Sequence, residues 1–188
     1  VLNEVIKHYK NLDKKVVVLG HSIGGFLINH YLSYFSAQAD LFIIGNVRLD
    51  IPLIHPMIVD QENIIPFFNE KGCFFNEQGC LENFEKMLPY KRIGLALIYN
   101  RYTQLLAQKD LQKVVYVTCE GDKWVGVLNK QEQSLIKKQG GQIIYHSIAD
   151  AKQFASISLF EETHQDIAHN TVFLPVVIKQ ILKRIKTL

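Results

Sequence analysis

The stretch that most constrains the fold is Val16-Val17-Val18-Leu19-Gly20-His21-Ser22-Ile23-Gly24-Gly25. Four apolar β-formers run into a turn that carries one serine between glycines. Phe26, Leu27, Tyr31, Leu32 and Phe35 then recur at helical spacing. A serine at the tip of so sharp a strand-to-helix turn occupies a sparsely populated backbone region, and its hydroxyl stands clear of the sheet. Side chains two residues to either side would collide there, which accounts for Gly20 and Gly24. By composition alone a Gly-x-Ser-x-Gly arises in about one chain in twenty of this length. The strand before it and the helix after it are what give the motif meaning.

The flanking chain extends the pattern. Val1, Leu2, Val5, Ile6, Tyr9 and Leu12 form an apolar stripe at helical spacing, predicting an amphipathic helix that ends near Asn11 to Asp13. The strand Val16–Leu19 is apolar at every position and should be covered on both faces, as parallel strands are. The helix after the turn should run to about Ser36, and Leu41-Phe42-Ile43-Ile44-Gly45 reads as a second short strand. Helix, strand, helix, strand implies an α/β fold with right-handed crossovers and helices on both faces of a parallel sheet.

From Pro52 to about Asp110 the alternation stops, and prolines, glycines and two helical segments, Leu81–Leu88 and Ile93–Gln108, take its place. With no convincing strand, this stretch is expected to be a helical cap or lid over the carboxyl ends of the strands. The domain reading is therefore a nucleophile-strand part of the core at 1–51, a cap insertion at 52–110 and a C-terminal part of the core at 111–188. Val114–Cys119 predicts a third strand, closed by the turn Glu120-Gly121-Asp122. A helix from about Leu128 to Gln139 ends at Gly140-Gly141. A strand-like segment Gln142–Ile148, a candidate strand Ala155–Phe160 and a final helix Leu174–Lys186 follow.

A serine hydroxyl becomes a useful nucleophile only when a base takes its proton, and the base needs a third group to hold its tautomer. In chain order after Ser22 a carboxylate and then a histidine are required, each at the end of a strand. Asp122 meets the first requirement, with Glu120 a weaker substitute. His164, in a loop between a candidate strand and the last helix, sits where the base should be. His169 and His146 are the alternatives, and His8, His21, His30 and His55 read as packing or surface residues. The turn also aims the first backbone N–H groups of its helix at the hydroxyl, where negative charge develops during acyl transfer.

Gly20-His21-Ser22-Ile23-Gly24-Gly25, Gly121-Asp122 and Thr163-His164-Gln165-Asp166-Ile167 together resemble the α/β-hydrolase superfamily, most closely its lipase, esterase and serine-aminopeptidase-like branches. The resemblance spans the chain apart from the cap. It implies Ser22 as nucleophile, Asp122 as triad acid, His164 as base and the Ile23 N–H in the oxyanion hole. The implied activity is hydrolysis of an ester, thioester or amide through an acyl-enzyme, without a cofactor. One departure stands out. The family has strands before the nucleophile strand, and a loop among them supplies the second oxyanion donor; here a single helix precedes Val16. The chain is thus expected to be the C-terminal part of a larger hydrolase, or else a short form whose open sheet edge pairs with another chain. The competing expectation is a catalytically impaired or non-catalytic binding module on the same fold.

Composition narrows the partners. The 188 residues carry a formal net charge of +3 with 21% charged residues, and the basic cluster Lys179, Lys183, Arg184, Lys186 fits a helix C-terminus, so nucleic acid is not an expected partner. No run of 18 apolar residues occurs to span a membrane. The three cysteines, Cys73, Cys80 and Cys119, make no disulfide framework and no zinc-ligand spacing, which points to no bound metal and to a reducing, cytoplasmic setting. The resemblance implies a small-molecule ester, thioester or amide as the substrate.

Overall fold

The computed structural model describes residues 1–51, 67–68, 73–76, 79–83, 97, 100–120, 122, 126–146, 179, 182, 183 and 186. The chain divides into two compact units, one of Val1–Leu49 with Arg101–Leu188 and the other of Asp50–Asn100. In the first unit the described elements are α1 (Leu2–Asn11), β1 (Val17–His21), α2 (Ile23–Tyr34), β2 (Leu41–Gly45), then α3 (Tyr102–Leu105), β6 (Val114–Cys119), α4 (Lys130–Lys138) and β7 (Gln142–His146). In the second they are β3 (Phe67–Phe68), β4 (Cys73–Asn76) and β5 (Gly79–Asn83).

The first unit is α/β. Its four strands form one parallel sheet in the order β1-β2-β6-β7, with Leu19 opposite Ile43, Ile43 opposite Val115 and Val117 opposite Ile144. Continuous apolar runs such as Leu41–Gly45, buried at all five positions, suit a sheet covered on both faces. On one face Phe42 and Tyr116 pack with α2: the Tyr31 and Phe42 rings lie 5.6 Å apart, and the Tyr116 hydroxyl donates to Asn29 Oδ1 at 2.7 Å. On the other, Leu41, Ile43, Val115 and Val117 form a buried cluster joined by Ile144.

That second layer stops before β1. Val17 and Leu19 continue the row of Leu41 and Ile43, yet they are 40% and 64% exposed. The expectation of cover on both faces fails because β1 ends the described sheet, and no described strand pairs with its outer edge. The strand also runs two residues past Leu19, so His21 belongs to it. α1 departs similarly from its predicted stripe: only Ile6 is buried, while Val1, Val5, Tyr9 and Leu12 are exposed.

The largest revision concerns the middle of the chain. Residues 67–83 hold a three-stranded antiparallel sheet, β3-β4-β5, where only turns and a helix were predicted. Leu81–Asn83, read as the start of a helix, are strand, and Asn76 pairs with Gly79 between β4 and β5. A register shift between Phe74 and Phe75 marks a bulge. The Ile93–Gln108 helix is also interrupted: Leu97 is helical, Asn100 and Arg101 are not, and α3 restarts at Tyr102. Tyr102 explains the restart, because it is fully buried and its N–H donates to the Leu49 carbonyl at 3.3 Å. Leu49 and Tyr102 thereby bring together the two points where the chain leaves and rejoins the first unit. The predicted strand Ala155–Phe160 lies outside the described residues, as does the final helix, save that Lys179, Leu182 and Lys183 are helical.

Two local devices fix the ends of these elements. α4 begins with a capping box, in which Asn129 Oδ1 accepts from the Glu132 N–H at 2.9 Å and Glu132 returns the bond to the Asn129 N–H. It ends in a Schellman motif, with the Gly141 N–H on the Ile136 carbonyl and Gly140 at φ 84°, a conformation that glycine adopts without strain. At the opposite edge of the sheet Asp40 ties α1, β1 and β2 together. Its carboxylate accepts from the Val16 N–H at 2.7 Å and from Lys10 Nζ at 3.0 Å. Burial alone would raise the Asp40 pKa, but the Val16 N–H and then Lys10 outweigh it, holding the carboxyl below the usual range.

A depressed folded-state pKa contributes stability that is complete above about pH 4, where unfolded aspartate titrates, and drains away as pH falls through the lower folded value. Asp40→Asn should therefore lower the urea midpoint at pH 7. The gap from wild type should narrow as the pH is taken from 5 to 2, measured by circular dichroism.

Candidate active site

The carboxyl ends of the four described parallel strands share one edge of the sheet, where Ser22 follows β1 and Asp122 comes after β6. Ser22 follows His21 directly, as the N-cap of α2, with φ 53° and ψ −121°. Few non-glycine residues tolerate that conformation, and it is maintained here from both sides. The Ser22 N–H donates to the Gly45 carbonyl of β2 at 3.0 Å, while the Ser22 carbonyl accepts from the N–H groups of Gly25 and Phe26 at 2.9 and 3.2 Å. The serine amide is thus part of the sheet and its carbonyl part of the helix. The hydroxyl is left at the junction.

The glycines around it play different parts from those predicted. A Cβ on Gly20 would lie 2.6 Å from the Gly24 carbonyl carbon and 2.8 Å from Ile28 Cδ1, so β1 and α2 cross where only hydrogen fits. Gly24 has open space where its Cβ would be. The position that needs a glycine after the serine is Gly25, whose Cβ would sit 2.6 Å from Val47 Cγ1 and 3.2 Å from Ile44 Cγ2. The signal lay in the doubled Gly24-Gly25, one residue beyond the motif. Among the described residues no backbone hydrogen bond leaves the Ile23 or Gly24 N–H, which leaves both donors of the first helical turn open.

Asp122 lies beyond the end of β6, two strands over from β1, roughly 10 Å away at the usual strand spacing. It is 5% exposed, whereas Glu120 is exposed. A buried carboxylate is the more apt orienting group, because its field is less screened by solvent. His146 closes β7 at the far end of the described sheet, three strand spacings or about 14 Å from β1. His164 and His169 lie outside the described residues. The chain that contains them follows β7, which ends at the same sheet edge as Ser22.

Sequence reasoning missed Glu132. It is completely buried on α4 and forms an ion pair with Arg48, 3.1 Å from Nε to Oε2. Its signal was the spelling Asn129-Lys130-Gln131-Glu132, a capping-box spacing at the mouth of a helix. The partner, 84 residues away in sequence, had no such signature. Among the described residues no group of three or more His, Cys, Asp or Glu could hold a metal ion, and no helix is long and apolar enough to cross a membrane.

No family model and no curated protein matches the chain. Among solved structures, polyneuridine aldehyde esterase is similar, with 16% identity, a TM-score of 0.40, and coverage of 93% of this chain and 72% of that one.

Gly20→Ala should be the most damaging change at the turn, because its Cβ meets backbone that cannot retreat; a loss of about 1–3 kcal/mol or more is expected. Gly25→Ala meets the ends of two side chains and should cost less. Gly24→Ala should stay within about 0.5 kcal/mol or gain slightly from helix propensity. Calorimetric melting of the three variants checks that order.

Proposed function

We propose that the chain carries the nucleophile and acid of a serine hydrolase of the α/β-hydrolase type, cleaving a carboxylic ester, thioester or amide through an acyl-enzyme. The observation that supports it most is the backbone of Ser22, held at φ 53° and ψ −121° between β1 and α2 at a crossing that excludes a side chain from Gly20. Strain of this kind persists only where surrounding structure enforces it, and it belongs with sites rather than with ordinary turns.

In this reading Ser22 Oγ attacks the substrate carbonyl carbon as the base, His164 with His169 as the alternative, takes the hydroxyl proton. The resulting oxyanion is met by the Ile23 N–H at the positive end of α2. Collapse of the intermediate expels the alcohol, thiol or amine, which receives the proton from the base, and water then releases the acid by the same steps in reverse. Asp122 holds the imidazole in the tautomer that accepts from serine. The chain between Pro52 and Asn100 acts as the cap. Its apolar content, including Phe67, Phe68, Phe74 and Phe75, favours a lipophilic acyl substrate.

Fluorophosphonate labelling tests the assignment. Wild-type protein should form one covalent adduct, and Ser22→Ala should abolish it; an unchanged signal in that variant refutes the hydrolase reading in favour of a non-catalytic module. Asp122→Asn should slow labelling and hydrolysis of p-nitrophenyl acetate by on the order of 10³–10⁴-fold, with Glu120→Gln remaining within about twofold of wild type.

A further inference from the structure

We propose that Glu132 is a positioning residue for the acid of this site. Its buried carboxylate locks the segment that carries Asp122 to the segment that leaves β2. The inference rests on the reading of Ser22 and Asp122 given above. A capping-box glutamate ordinarily lies at the surface, bonding only back to its own helix start. Glu132 is instead fully buried, and its two oxygens face different parts of the chain. Oε2 accepts from the Asn129 N–H at 2.7 Å, at the end of the segment that runs from β6 through Asp122 into α4. Oε1 accepts from the Leu49 N–H at 3.0 Å, beyond the end of β2. Arg48 Nε straddles the pair at 3.1 and 3.3 Å and balances the charge. One carboxylate therefore bolts the start of α4, the helix that the chain enters after Asp122, to the chain just beyond β2, the strand that anchors the turn at Ser22 through Gly45.

A separate buried bond ties β6 to the helix behind the nucleophile. The Tyr116 hydroxyl, on β6, donates to Asn29 Oδ1 of α2 at 2.7 Å. Burial, and next the Glu132 charge, push that hydroxyl's pKa up, so the carboxylate and the tyrosine share one apolar interior. A buried charge with this many donors is set in one geometry, because any displacement leaves donors or charge unpaired.

The test compares wild type with Glu132→Gln, which keeps the shape and one acceptor, and with Arg48→Lys, which keeps the charge but not the Nε donor. Fluorophosphonate labelling rates are measured from pH 5 to 9 alongside melting curves. The proposal expects folded variants whose labelling is slowed at least tenfold for Glu132→Gln and less for Arg48→Lys. The pH midpoint of labelling should move downward, in the direction of Asp122→Asn, because a base that loses its carboxylate partner is less basic. Labelling rates and midpoints equal to wild type in both variants, whatever their melting temperatures, would show that Glu132 is only structural. Should Glu132→Gln not fold, Arg48→Lys alone decides between these outcomes. Absence of Ser22-dependent labelling in wild type would overturn the hydrolase reading, and this inference with it.

Discussion

Everything at the candidate site depends on how closely α2 crosses β1. At Gly20 the two elements approach until no β-carbon fits between them, and the chain must reverse within a single residue to achieve it. That residue is Ser22, and its positive φ is the geometric consequence of the approach. The crossing is then secured in three directions: to β2 through the Ser22 N–H, to α2 through the Ser22 carbonyl, and to Val47 and Ile44 by the contact at Gly25. Removing any one of these would let the turn relax, and a relaxed turn would no longer present the hydroxyl.

The parallel sheet sets where that local strain lies. Parallel strands deliver all their carboxyl ends to one edge, so residues distant in sequence meet without special connections. The cost is that each exit is a loop, and loops are the least rigid parts of a fold. In this chain the exit of β2 is joined to the start of α4 by Glu132 and Arg48, a pair whose desolvation is offset by two backbone donors as well as by mutual attraction. At the other edge Asp40 serves the strand entries in a comparable way, with a more exposed carboxylate and two lysines.

The parts legible in the sequence were those where one physical requirement dominates. Leu41–Gly45 and Val114–Cys119 are continuous apolar runs of strand length, and the structure has strands with those bounds. The serine turn announced itself because both its flanks were unambiguous. What escaped were features decided by distant partners. β3–β5 lie among prolines and glycines, and Leu81 and Leu88 happen to mimic a helical repeat, so pairing across a hairpin was invisible to a one-dimensional pattern. The exposure of Val17, Leu19, Val5 and Tyr9 reflects what packs against them, which no local spacing encodes. Gly25 was overlooked in favour of Gly24 because the neighbour that forbids its side chain, Val47, comes from another strand's exit. The burial of Glu132 had no local sign, because the partners that close over it, Arg48 and Leu49, lie more than eighty residues away in sequence.

The bond between Leu49 and Tyr102 carries a consequence for how such a protein can be remodelled. Because the Asp50–Asn100 unit departs and returns at two residues already held together, the sheet sees it as a graft on a single stem. Its length, strand content and surface can drift, or be exchanged wholesale, without altering the register of β2 on β6. The molecule is in this sense two texts under different editorial rules: a conservative frame that must keep its crossings to within a methyl group, and an interchangeable passage spliced between them.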